Sequence, residues 1–72
     1  MHKVVRLLDL DCAHCAAKMQ EEIGKLDGVN KVRVNFMGER MTLDCEDDKY
    51  DAIMKEAEKI IHGLEPDVTI KA

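Results

Sequence analysis

The apolar residues of this chain change their spacing several times along its length, and the order of those changes leaves few folds open. Val4 to Leu8 is a β-branched and aliphatic run, which reads as a first strand. Ala16, Met19, Ile23 and Leu26 then recur at helical spacing, with Lys18, Glu21, Glu22 and Lys25 between them. Asp27-Gly28 supplies a stop. From Val29 to Phe36 the pattern alternates, with Val32, Val34 and Phe36 on one side and Lys31, Arg33 and Asn35 on the other. Met37-Gly38-Glu39 makes a tight connection, and Arg40 to Cys45 alternates again, so these two strands pair as a hairpin. Asp47 or Asp48 can cap a second helix, whose stripe is Tyr50, Ile53, Met54, Ala57, Ile60, Ile61 and Leu64. Pro66 halts it, and Val68 to Ile70 is a last short strand.

Strand, helix, strand, strand, helix, strand is the order of the ferredoxin-like split βαβ arrangement. We therefore expect an α+β fold, βαββαβ, with a four-stranded antiparallel sheet and both helices on one face. With 72 residues and no linker or repeat, positions 1–72 read as a single domain. Its core must be aliphatic, because Phe36 and Tyr50 are the only aromatic residues. The same topology sorts the connections. The segment after the first strand, Met37 to Glu39, and His62 to Pro66 fall at one end of the sheet; the turns at Asp27-Gly28 and Glu46 to Asp48 fall at the other, together with Cys45.

Charge and hydropathy narrow the function classes. The net charge is −4 and the sequence has no basic stripe, so nucleic acid is not an expected partner. No apolar run approaches the ~20 residues of a membrane span and no signal peptide is evident, so direct membrane insertion is not expected and the chain reads as cytoplasmic; a monomer is expected. Three cysteines lack the pattern of a disulfide framework; in a reducing compartment a Cys-x-x-Cys pair points to metal binding or redox chemistry.

That pair is Cys12-Ala13-His14-Cys15, between the first strand and the first helix. The spacing aims both sulfurs at one ion, and the positive end of the helix favours the thiolates that bind it. Two thiolates suit Cu(I), whereas Zn(II) and Cd(II) want more ligands and Zn(II) accepts a carboxylate oxygen. Asp11, directly before Cys12, therefore discriminates between ions. A surface loop with three protein ligands suits handing an ion on by ligand exchange; a structural zinc site would need four closed ligands.

In this element order, the Cys12-Ala13-His14-Cys15 loop resembles that of the heavy-metal-associated domain. The family includes small copper chaperones and the cytosolic N-terminal domains of heavy-metal-transporting P-type ATPases. Its usual loop is Gly-Met-Thr-Cys-x-x-Cys; here Asp9, Leu10 and Asp11 hold the first three places. The Asp-Cys-x-x-Cys form, and the closing Leu64-Glu65-Pro66-Asp67-Val68, resemble the zinc, cadmium and lead branch of the ATPases. The resemblance implies metal ligation by Cys12, Cys15 and Asp11, with Zn(II), Cd(II) or Pb(II) as the ion. It also implies a non-catalytic domain that delivers the ion to, or regulates, a P-type ATPase through that pump's other domains or a metal donor or acceptor protein. A copper(I) chaperone or copper-ATPase domain is the alternative within binding, and a dithiol oxidoreductase the alternative from another class.

Other residues have simpler readings beside the functional one. His14 is a possible further ligand, although its position normally points to solvent. Asp11 could act as the N-cap of the helix. His62 belongs to the metal end and is expected to stabilise a helix C-terminus. Met37 is expected beside the site, His2 in a frayed terminus, and Cys45 as a small buried hydrophobe far from it.

Overall fold

A computed structural model describes residues 1–71. The elements are β1 (His2–Leu8), α1 (Ala13–Gly24), β2 (Val29–Asn35), β3 (Arg40–Cys45), α2 (Tyr50–Leu64) and β4 (Thr69–Lys71). The four strands form one sheet in the order β2-β3-β1-β4, and every neighbouring pair is antiparallel. This is the expected ferredoxin-like arrangement.

The core lies between the sheet and the helices. Val5 and Leu7 of β1, Met41 of β3, Met19 and Ile23 of α1 and Ile61 of α2 are all fully buried in one cluster. Each buried aliphatic side chain of this size contributes about 1.5–3 kcal/mol. Leu43, Cys45 and Ile53 form a second cluster toward the opposite end, where Cys45 is the expected buried hydrophobe. There the Lys49 ammonium meets the Asp27 carboxylate at 2.9 Å and the Glu46 amide donates to the Gly28 carbonyl at 3.0 Å. Gly28 has φ +95°, and a Cβ on it would come within 2.6 Å of the Lys49 side chain, so this turn needs glycine.

Several boundaries differ from the sequence reading. β1 begins at His2, which pairs with Asp44 rather than fraying. β2 stops at Asn35, because Phe36 turns into a four-residue loop in which the Asn35 Oδ1 accepts the Gly38 amide at 2.9 Å. Neither Asp47 nor Asp48 caps α2. Those residues form a single 3-10 turn with Lys49, and Lys49 holds the N-cap position without a side-chain bond. β4 lies one residue later than expected because the Val68 amide closes a turn onto the Glu65 carbonyl at 3.2 Å.

The three connections at the metal end are held by specific contacts. The Leu7 amide donates to the Glu39 carbonyl at 2.8 Å, tying the hairpin loop to the end of β1. Asp9 then turns the chain with φ +68°, a left-handed conformation that Asp tolerates better than most residues and that suits the glycine usual at this place. The turn drives Leu10 into the core at 2% exposure, between exposed Asp9 and Asp11. Leu10→Ala should destabilise the domain by about 2–5 kcal/mol, read as a lower urea midpoint with an unchanged slope. Cys12 and Cys15 are only half-buried and outside the strands, so replacing both with alanine should preserve cooperative melting; a chain unfolded at room temperature would show that the loop, not the core, holds the fold.

Candidate metal centre

Cys12 is the N-cap of α1, with extended backbone at φ −125° and ψ 109°. Its carbonyl accepts the first helical bond, from the Ala16 amide at 3.0 Å, and its Sγ accepts the Cys15 amide at 3.3 Å. The capping role that Asp11 could have taken in place of ligation therefore falls to a sulfur, which satisfies an orphan amide of the first turn. The same bond brings Cys12 over the residue that carries the second sulfur.

The third member of the cluster comes from the other side of the fold. Glu65 is the C-cap of α2, its amide donating to the Ile61 carbonyl at 2.7 Å while its own carbonyl accepts the Val68 amide. His62 fastens the same turn. Its Nε2 donates to the Val68 carbonyl at 3.0 Å, which commits that nitrogen to the backbone and fixes the proton on it. Held this way, a Glu65 carboxylate oxygen and the two sulfurs lie within 4.8 Å of one another. Tetrahedral zinc with sulfur and oxygen ligands needs separations of about 3.4–3.8 Å.

Of the residues singled out in the sequence, Cys12 and Cys15 converge. Asp11 and His14 are exposed and outside this group. Met37 does not pack beside the site; it is 88% exposed at the tip of the hairpin loop. Glu65 is the candidate ligand that sequence reading missed. Its signal was present, a carboxylate in the last loop of the metal end, directly before the proline that stops α2.

The electrostatics also depart from expectation. The Cys15 thiol is pushed up to about 12, first by its hydrogen bond with the Cys12 sulfur, then by the Glu65 carboxylate, with burial adding to both. Proximity of these acidic groups outweighs the helix end, so at neutral pH Cys15 keeps its proton. That shared proton helps the metal-free fold below the ordinary thiol value near 9, and the benefit is lost as pH rises through about 12. No Lys or Arg occurs in the three loops of this end, residues 9–12, 36–39 and 65–68, which carry Asp9, Asp11, Glu39, Glu65 and Asp67. A cation placed between the sulfurs would meet only negative or neutral groups there.

Comparison with known proteins agrees with this geometry. The model of the heavy-metal-associated domain family matches residues 4–67, and the chain belongs to that family, a metal-binding module. The cadmium, zinc and cobalt-transporting ATPase of Bacillus subtilis (strain 168) is 27% identical over 62 residues, 86% of this chain and 9% of the ATPase. The ATPase of the same description from Helicobacter pylori (strain ATCC 700392 / 26695) is 37% identical over 51 residues, 69% of this chain and 7% of that protein. The chain thus matches under a tenth of the length of these curated relatives. Among solved structures, the CsoZ metallochaperone superposes with a TM-score of 0.76 at 18% identity, covering 100% of this chain and 97% of that one, which establishes the shared fold.

Because Cys15 is protonated in the metal-free state, metal binding at neutral pH should release at least one proton. Affinity should then rise by about tenfold per pH unit for each proton released. Calorimetry in buffers of different ionisation enthalpy counts the protons, and a count of zero would exclude capture by Cys15.

Proposed function

We propose that residues 1–72 form one heavy-metal-associated domain that captures a divalent soft or borderline ion, Zn(II), Cd(II) or Pb(II), and passes it on. Cys12 and Cys15 supply two thiolates and Glu65 the first carboxylate. Asp11, exposed and adjacent to Cys12, supplies a second carboxylate by rotation of its side chain. The observation that carries this reading is the convergence of the two sulfurs with the Glu65 oxygen at one point.

The carboxylates favour the divalent reading. Cu(I) is content with two thiolates and gains little from a hard oxygen, whereas Zn(II) uses it as a ligand. The five carboxylates of the three loops attract a divalent ion about twice as strongly as a monovalent one, since Coulomb energy scales with charge. Thiolates hold the ion, and the exposed, exchangeable Asp11 is the ligand that an incoming group can replace. The role is binding and transfer without a catalysed step. The partners are the other domains of a heavy-metal-transporting P-type ATPase, which the domain supplies or regulates, or a separate metal donor or acceptor protein. No helix among the described residues is long and apolar enough to cross a membrane, so transport itself would lie elsewhere in any such pump.

Competition titrations of the reduced chain with Zn(II) and Cu(I) test the assignment. Glu65→Gln and Asp11→Asn should each weaken Zn(II) by about 10–100-fold, the usual scale of site perturbations, and leave Cu(I) nearly unchanged. Equal weakening of both ions, or an unaltered Zn(II) affinity, would favour a two-thiolate copper site.

A further inference from the structure

The strand register reveals a feature hidden in the sequence. On the face of the sheet away from the helices, Arg40, Arg6 and Lys71 stand directly opposite one another across three adjacent strands: Arg6 pairs with Arg40 on one side and with Lys71 on the other. Arg33 lies one row away, opposite Thr42. All four cations are exposed, and among the described residues none forms an ion pair. With Lys31, this face gathers five of the eleven Lys and Arg residues, against the single carboxylate of Asp44, in a chain of net charge −4. The expectation of no basic stripe is thus corrected, because the stripe runs across strands rather than along the chain. Like charges directly opposite each other on a sheet cost stability. A fold with no use for the row would gain by scattering it.

We propose that this open face docks a short acidic segment of a partner protein. Three of the four cations are arginines, whose planar forks take carboxylates two-pronged. Val4, 47% exposed and one row from Arg6, offers an apolar contact at the centre. Opposed residues stand about 5 Å apart, so the row spans only ~10 Å. Asp9, Glu39 and Asp67 lie in the loops just beyond one end of these strands, whereas Asp44 toward the other end stands opposite Lys31 and 3.9 Å from the N-terminal ammonium. A bilayer or a nucleic-acid duplex would extend over the loop carboxylates and be repelled, whereas a compact run of carboxylates fits on the row. The face is separate from the cysteine loop, and the proposal stands whether or not the metal assignment does.

The test is a titration of the isotopically labelled domain with a hexaglutamate peptide at low salt, followed by amide chemical shifts. Shifts should cluster at Arg6, Arg33, Arg40 and Lys71, spare the cysteine loop and fade as salt rises. Arg6→Gln with Arg40→Gln should lower affinity by at least ~10-fold, equivalent to about 1.4 kcal/mol, with a dispersed, folded spectrum and an unaltered Zn(II) stoichiometry. Lys55→Gln with Lys59→Gln removes the same charge from the outer face of α2 and should bind as wild type. Shifts centred elsewhere, equal losses in the two double variants, or tighter binding of phosphatidylglycerol vesicles or duplex DNA to the same face would overturn the proposal.

Discussion

The seating of Leu10 is the constraint on which the site depends. One residue, buried at 2% between two exposed aspartates, decides where the chain re-enters the core after β1 and hence where α1 starts. The left-handed turn at Asp9 makes that burial possible at the cost of a less favourable backbone conformation. With Leu10 fixed, Cys12 falls at the N-cap, its sulfur accepts the Cys15 amide, and both thiols face the turn that ends α2. Glu65 reaches the same point because its backbone is clamped from both directions, by the last bond of α2 and by the turn into β4. The start of α1 and the end of α2 thus present three acidic groups to one another, and the thiol of Cys15 keeps its proton there.

This arrangement separates folding from binding. The burial that orders the loop is aliphatic and independent of any ion, so the ligands are pre-positioned. On the proposed function, an ion would bind without having to organise the chain, unlike a zinc finger, where metal affinity supplies the folding energy. The half-buried sulfurs and the exposed Asp11 are what the proposed reversible capture rests on.

The fold was legible because each element has one dominant spacing and the proline and glycine stops fall between them. Cys12 and Cys15 were legible from their spacing alone. Glu65 was placed by the sequence in the last loop of the metal end, but that its carboxylate turns toward the sulfurs depends on the clamped turn between α2 and β4, which spacing does not encode. Capping by Cys12 was not legible, because carboxylates cap helices far more often than sulfurs do and Asp11 offered itself as the alternative to ligation. The helix end that favours a thiolate is visible in sequence, whereas what holds the Cys15 thiol up is its contact with the Cys12 sulfur, a matter of side-chain geometry, and then the Glu65 carboxylate from a segment fifty residues away. Charge sorting on the sheet was equally hidden, since Arg6, Arg40 and Lys71 become neighbours only through strand pairing.

X-ray absorption at the zinc edge on the loaded domain, beside its Glu65→Gln variant, tests the central claim most directly. The account requires two sulfur ligands near 2.3 Å with oxygen donors near 2.0–2.2 Å, and the loss of an oxygen donor in the variant without change in the sulfur count. A zinc site with four sulfurs, or a first shell identical in both proteins, would contradict it.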